Sequence, residues 1–201
     1  MLEAHGFPPT PDHPHEYEAL ISILTSVLGS RKADYVSSPI TTGKKFVQWF
    51  VEEGKHLPPG SEIYKHQLKN QVIKHNFVTA RRFIEELRSL GDVVIEPTSF
   101  DVPHWTQNDY RHLWGQVIKR YVGRVFFVDG WEYSSGCAYE FWVAVGSGIV
   151  TLSTRGEPIS PAEGARLMRA AVREIQAIGA PSEFLSQVLF ALHEKGFDVA
   201  S

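Results

Sequence analysis

Residues 124–144 of the chain, RVFFVDGWEYSSGCAYEFWVA, combine a strand, a loop and a helix in one stretch. The β-branched and aromatic run at 124–129 predicts a strand, which Gly130 ends. Ser134 or its neighbour can then cap a helix that runs to residue 144. A short apolar strand that leads through a loop into a helix is the repeating unit of a parallel sheet covered by helices on both faces.

The same alternation extends in both directions from this stretch. Three further short runs predict strands, at 33–37, 93–95 and 149–152. Helical spacing and breakers predict further helices at 16–29, 44–53, 62–90, 105–121, 161–178 and 181–195. The pattern indicates an α/β fold: a doubly wound parallel sheet of four to five strands with extra helices at both termini. In a strand order such as 2-1-3-4, the first and third strands are neighbours where the winding reverses, and ligands bind beyond their carboxyl ends.

Length and composition bound the class of protein. The 201 residues predict one domain, with an irregular proline-rich leader at 1–15, an α/β domain with its N-terminal helix at 16–154, and C-terminal helices at 155–201 packed on it. A net charge of −3 favours neither a nucleic-acid polymer nor an anionic membrane as partner. The single Cys137 forms no intramolecular disulfide, and no HExxH or CxxC spacing indicates a metal. Without an apolar run of about 18 residues, we expect a cytoplasmic protein.

The loop and helix after the third predicted strand carry the strongest candidate residues. Free backbone N–H groups at Ser134, Ser135 and Gly136, together with the helix dipole, favour an anion such as a phosphate. Glu140 lies four residues after Gly136 on the same face of an apolar helix. Its carboxylate is therefore expected to be partly buried and to point into the space that the glycine leaves open. The alternative is that the serines only cap the helix and Glu140 is a solvated surface residue.

The loop after the first predicted strand is the other half of the candidate site. It reads Ser37-Ser38-Pro39-Ile40-Thr41-Thr42-Gly43, and its hydroxyl and N–H groups can face phosphate or sugar oxygens. Such a cluster is equally typical of an ordinary turn, and it lacks the glycine spacings of dinucleotide-binding folds and P-loops. Asp129 is a candidate proton donor or hydroxyl ligand, and Trp131 a candidate aromatic wall for a base. Turn capping and core packing explain these two residues equally well.

Three short motifs, in this order along the chain, resemble those of a known family. They are Tyr35-Val36-Ser37-Ser38-Pro39-Ile40-Thr41-Thr42-Gly43, then Val94-Ile95-Glu96-Pro97, then Gly130-Trp131-Glu132 with Ser134, Ser135-Gly136 and Tyr139-Glu140. Over about residues 33 to 153 the chain resembles the nucleoside 2-deoxyribosyltransferase superfamily. The closest likenesses are its nucleotide N-glycosidase branch and a related uncharacterised family marked by a Gly-Trp-Glu-x-Ser-x-Gly-Ala pattern.

The resemblance implies a flavodoxin-like sheet, with residues 16–154 as a nucleoside-binding domain. It implies cleavage or exchange at the N-glycosidic bond of (deoxy)nucleosides or nucleoside 5′-monophosphates, with no cofactor. Glu140 would attack the anomeric carbon, as carboxylates do in retaining glycosidases. Ser134 would bind a 5′-phosphate, and Tyr35 would lie near the nucleoside. Because family members commonly share sites between subunits, a homo-oligomer, dimer or larger, is expected.

The chain departs from this family at three places. Residues 41–43, Thr-Thr-Gly, stand where the nucleotide-cleaving branch has an arginine and two glycines, so a phosphate loses a cationic partner. Gln116 stands in the region of a family aspartate that orients the sugar or a proton, with Asp109 about two helical turns earlier. Ala138 replaces a common glycine. Two alternatives stay open: a non-catalytic nucleotide-binding or sensor module on the same fold, and a helical interaction scaffold.

Overall fold

A computed structural model provides the structure and describes residues 10–13 and 16–197. Of the predicted leader, residues 10–13 form neither helix nor strand, and the other positions before Glu16 lie outside the described residues, as do residues 198–201. No helix within the described ranges is long and apolar enough to cross a membrane. The helices are α1 (Glu16–Leu28), α2 (Lys44–Glu52), α3 (Glu62–Gln67), α4 (Lys74–Ser89), α5 (Gln107–Tyr121), α6 (Ser135–Gly146), α7 (Pro161–Ala177) and α8 (Glu183–Glu194), and the strands are β1 (Ala33–Ser37), β2 (Val94–Ile95), β3 (Val122–Phe127) and β4 (Val150–Ser153).

The strands of the described chain form one parallel sheet in the order β2-β1-β3-β4. This order confirms the predicted doubly wound, flavodoxin-like α/β fold, with four strands. All five residues of β1 are buried, because β1 is an inner strand covered on both faces. The winding reverses between β1 and β3, whose last residues, Ser37 and Phe127, lie side by side in the sheet. The carboxyl ends of these two strands therefore form the switch point where such sheets bind ligands.

Side-chain alternation along β1 and β3 divides the core between the two faces of the sheet. Val36 and Phe126 face the side covered by α4, whereas Tyr35 and Phe127 face the side covered by α6. The α6 side holds the larger cluster of buried side chains, to which α7 and α8 contribute Met168, Val172, Leu185 and Leu192. Since Ser37 follows Tyr35 by two residues, both side chains point toward α6.

The structure differs from the predicted elements mainly at their ends. α5 runs into β3 without a loop, and β3 covers Val122–Phe127 rather than 124–129 because its pairing with β1 begins two residues earlier. The helix predicted at 62–90 is continuous, but its segment Leu68–Ile73, between α3 and α4, is π-helical. A π turn holds an extra residue, and the apolar spacing of a sequence does not show where it falls.

Candidate active site at the switch point

The loops that follow β1 and β3 pack directly against each other through two glycines. Gly43 has a φ of 89°, and a Cβ atom there would lie 2.7 Å from the Cβ of Pro39 in the same loop and 3.5 Å from the carbonyl oxygen of Gly130 in the other loop. Gly130 has a φ of 84°, and its Cβ would lie 2.9 Å from the Cβ of Lys44. Both positions need glycine, because φ is positive and because neighbouring backbone or side-chain atoms leave no room for a Cβ. The two halves of the predicted site are therefore adjacent in the structure.

A cavity of about 670 Å³ opens between these loops. Its volume is within the range of pockets that hold small organic molecules. The loops and α6 supply part of its wall: Ser38, Ile40, Thr41, Thr42, Ser134, Ser135, Gly136 and Glu140. At Gly136 an added Cβ would meet only the Ser134 hydroxyl, at 3.9 Å, so the space beside the helix start is open, as the sequence predicted.

Glu140 is the buried carboxylate of this cavity. Its Oε1 accepts a hydrogen bond from the Tyr35 hydroxyl at 2.7 Å, and its Oε2 accepts one from Ser37 Oγ at 2.6 Å. The residue is only 9% exposed. Burial raises the pKa of Glu140 to about 7, against the opposing effect of the Ser37 and Tyr35 hydrogen bonds. Its carboxyl group can therefore change protonation state near neutral pH.

Several predicted residues support the site without lining the cavity. Tyr35 and Ser37 hold the Glu140 carboxylate from β1. Pro39 and Gly43 shape the loop through their mutual contact. Trp131 was a candidate wall for a base, but it is buried between the rings of Phe127 and Phe141, with centroids 4.7 and 4.8 Å from its own, and does not line the cavity.

Asp129 and Gln116 are not among the described residues that line the cavity. Asp129 is exposed in the turn after β3. The reason for Gln116 is geometric: Trp114 lines the cavity, and two residues further along a helix the side chain points about 200° away.

Asp109, the alternative to Gln116 as the counterpart of the family aspartate, forms hydrogen bonds that hold the start of α5. Its carboxylate accepts hydrogen bonds from the N–H of His13 at 2.7 Å, and from the N–H and hydroxyl of Thr106 at 2.9 Å each. The N–H of His13 binds Asp109 Oδ1, whereas His13 Nδ1 lies 3.0 Å from Asp109 Oδ2, the oxygen that Thr106 also binds. Burial disfavours the charged form, but these hydrogen bonds outweigh it and hold the pKa of Asp109 well below its usual range. The carboxylate completes a capping box at the start of α5.

One face of α5 lines the cavity, and the sequence prediction missed it. Its side chains are Gln107, Tyr110, Arg111 and Trp114, and Phe100 and Asp101 join them from the segment before α5. The four helix positions follow the spacing i, i+3, i+4, i+7, which places them on one face. That mixed polar and aromatic stripe was the available signal, since an ordinary amphipathic helix would carry apolar residues there.

A second missed residue, Asn76 on α4, fixes the loop after β1. Its side-chain amide donates to the carbonyl of Ile40 at 3.0 Å and to that of Thr42 at 2.9 Å. Asn76 is only 8% exposed, so these are protected hydrogen bonds. Because both carbonyls are bound by α4, the conformation of the cavity-lining loop depends on this one side chain.

No family model, curated protein or solved structure matches this chain. Among residues 10–13 and 16–197, no group of three or more His, Cys, Asp or Glu side chains is placed to hold a metal ion. The chemistry of the site follows from the side chains on the cavity wall. These offer a buried carboxylate, several hydroxyl groups, aromatic rings and the guanidinium of Arg111.

Proposed function

We propose that the protein cleaves or exchanges the N-glycosidic bond of (deoxy)nucleosides or nucleoside 5′-monophosphates, with Glu140 as the nucleophile. One observation carries this proposal. A carboxylate that is buried at the cavity, and held at both oxygens by Tyr35 and Ser37, is oriented toward whatever the cavity binds. A fixed carboxylate is a competent nucleophile for an electron-poor anomeric carbon.

The reaction balances without a cofactor. An oxygen of the Glu140 carboxylate forms a bond to the anomeric carbon, and the C–N bond breaks with its electron pair leaving on the base. A proton from water neutralises the departing base. In the second step water, or a second base, attacks the anomeric carbon, and the C–O bond to Glu140 breaks to release the carboxylate. The proton that the acceptor loses neutralises the hydroxide left by the first step. Hydrolysis and transfer therefore share the first step and differ only in the acceptor.

The remaining wall of the cavity suits the parts of a nucleoside. Phe100, Tyr110 and Trp114 offer aromatic surface on which a planar base can stack. Ser38 and Thr41 offer hydroxyl groups to the sugar. The resemblance to nucleoside 2-deoxyribosyltransferases adds support, because its matched residues Tyr35 and Glu140 form a hydrogen bond at this cavity.

A non-catalytic nucleotide-binding module is the second candidate, and a specific observation favours it. Neither Gln116 nor Asp109 reaches the part of the cavity wall that the structure describes, so the sugar-orienting carboxylate of the resembled family has no counterpart at these positions. Such a module would bind a nucleotide without breaking its glycosidic bond.

Release of free base tests the proposal. The protein is incubated with a panel of nucleosides and 5′-monophosphates, and the base is quantified by chromatography. The matched control for Glu140→Gln and Glu140→Ala is Glu86→Gln, on the exposed surface of α4. We expect release that is lost in both Glu140 variants and kept in the control.

Each other outcome selects a different reading. Release that survives both Glu140 changes rejects Glu140 as nucleophile. Binding without release, seen as a raised melting temperature, favours the nucleotide-binding module. A melting temperature that no compound raises favours a helical interaction scaffold.

The proposal includes a cytoplasmic location and a homo-oligomer, dimer or larger. Cys137, the single cysteine, is buried, which suits a reducing compartment. Sedimentation of the purified protein measures its assembly state, and a monomer across the micromolar range would reject the oligomer.

A further inference from the structure

Arg111 places a cation on the cavity wall, and no carboxylate of residues 10–13 and 16–197 pairs with it. Its Nη1 donates to the side-chain oxygen of Asn108 at 3.1 Å, and its Nη2 donates to Ser135 Oγ at 3.4 Å. Its Nε is buried, and no described residue forms a hydrogen bond with it. A partly buried cation without a compensating negative charge is unfavourable by itself, and an anion bound in the cavity would supply that charge.

The guanidinium is held in place before any ligand binds. Its carbon lies 3.7 Å from the ring centroid of Phe184, on α8. Stacking on an aromatic ring fixes the plane of an arginine and leaves its edge free to bind oxygen atoms. Although burial lowers the pKa of Arg111, an arginine remains protonated in proteins.

Arg111 and Glu140 both line this cavity. Arg111 contacts Ser135 at the first turn of α6, and Glu140 lies five residues further along that helix, about 7 to 8 Å along its axis. Glu140 and Asp101, the carboxylates on the described wall, would repel an anion. The space at Arg111 and Gly136 is therefore the part of the cavity that suits negative charge.

We propose that Arg111 selects phosphorylated substrates, by binding the phosphomonoester of a pentose 5-phosphate unit whose anomeric carbon lies at Glu140. The placement of the anomeric carbon rests on the proposed function, whereas the anion site at Arg111 does not. Residues 41–43 lack a cation, and Arg111 supplies it from a different element, α5.

Binding of base-free sugars tests this inference without any turnover. Titration calorimetry at low ionic strength compares ribose 5-phosphate and 2-deoxyribose 5-phosphate with the unphosphorylated sugars and with inorganic phosphate. Arg111→Met keeps an apolar stem over Phe184 but removes the charge, and Arg111→Lys keeps the charge but loses the planar fork. Arg120→Met, on the exposed end of the same helix, is the matched control.

We expect the sugar phosphates to bind the wild type and the Arg120→Met control more tightly than the sugars do. Arg111→Met should weaken their binding about 10- to 100-fold, and Arg111→Lys by less. An equal affinity for sugars and sugar phosphates, or an unchanged affinity in both Arg111 variants, would overturn the inference. Inorganic phosphate that binds as tightly as the sugar phosphates would overturn it too, since the site would then recognise a free anion only.

The outcomes separate this inference from the proposed function. Arg111-dependent binding of sugar phosphates without base release from any nucleotide rejects the proposed function alone. Base release at equal rates from nucleosides and their 5′-monophosphates rejects the phosphate preference alone. If Arg111→Met does not fold, Arg111→Lys still decides, because it preserves a cation and most of the side-chain volume.

Discussion

Glu140 and Asp109 are both buried carboxylates, and they differ in the donors that bind them and in whether a cavity lies beside them. Glu140 has two neutral hydroxyl donors and lines a cavity, and its pKa rises to about 7. Asp109 is completely buried, with His13 and two backbone N–H groups as partners, and its pKa falls well below the usual range. Burial alone therefore does not mark a reactive carboxylate; the donors around it and the open space beside it do.

The largest expected difference between the two carboxylates is in activity. Glu140→Gln should lower kcat/KM for base release at least about a thousandfold, because it removes the nucleophile. Asp109→Asn should keep kcat/KM within about tenfold of the wild type, since that side chain caps α5 and does not line the cavity. Steady-state rates at pH 8 measure both. Equal losses of kcat/KM in the two variants would mean that lining the cavity does not distinguish Glu140 from Asp109 in activity.

For the stability of the fold, the larger loss is expected on removal of Asp109 rather than of Glu140. Asp109→Ala should lower the free energy of unfolding at pH 7 by about 1–3 kcal/mol, because it removes a helix cap and the hydrogen bonds of the half-buried donors on His13 and Thr106. The depressed pKa of Asp109 stabilises the fold above the unfolded value, near 3.9, and this contribution is lost as pH falls. Urea unfolding measures the change. A loss below about 0.5 kcal/mol would mean that the capping box contributes little.

Glu140→Gln should stabilise the protein at pH 8, by on the order of 1–3 kcal/mol, while it abolishes activity. The pKa of Glu140 is raised in the folded state, so between about pH 4.5 and 7 the native state binds more protons than the unfolded state. Wild-type stability therefore decreases as pH rises through that window, and the variant lacks this loss. Urea unfolding at pH 5 and at pH 8 compares them, with Glu86→Gln as control. A variant that is less stable than the wild type at pH 8 would contradict the assignment.

The donors on β1 should set the pH at which activity begins. The hydrogen bonds from Ser37 and Tyr35 favour ionised Glu140, so Ser37→Ala and Tyr35→Phe should each move the acidic limb of kcat/KM upward. About 1 kcal/mol for each bond corresponds to about 0.5 to 1 pH unit. Ser22→Ala on the exposed face of α1 is the control. An unmoved limb in both variants would show that another group controls the profile.

The smallest expected effect concerns the loop after β1, which Asn76 binds through two carbonyl groups. Asn76→Ala frees the two carbonyls of Ile40 and Thr42, so the loop should bind substrate less well. We expect KM to rise about fivefold with kcat changed less than twofold, because the donors to Glu140 lie on β1. Asn70→Ala, on the exposed surface of the π-helical segment, is the control. A fall in kcat alone would place the role of Asn76 elsewhere.

Local sequence patterns were sufficient for the doubly wound α/β fold and for the two loops at the ends of β1 and β3. The two loops lie together because a doubly wound sheet brings the ends of β1 and β3 to one place. Period-two alternation also puts Tyr35 and Ser37 on one face, and the apolar surroundings of Glu140 on α6 indicated its burial.

The remaining features depend on contacts between distant parts of the chain. Asp109 caps α5 and is also bound by His13, which lies 96 residues away in the sequence. Asn76 reaches a loop 34 residues earlier, and Arg111 is fixed by Phe184 on the last helix. Neither periodicity nor motif spacing contains this information, since each contact is made only when the helices pack.

Titration of Glu140 and Asp109 in the intact protein measures the difference between their pKa values most directly. Carboxyl-labelled glutamate and aspartate are followed by carbon-13 NMR from pH 3 to pH 9, with Glu140→Gln and Asp109→Asn used to assign the signals. We predict a Glu140 midpoint near pH 7 and an Asp109 signal that stays ionised throughout. A Glu140 midpoint at the ordinary glutamate value, about 4.3, would show that burial at the cavity does not raise the pKa of this carboxyl group.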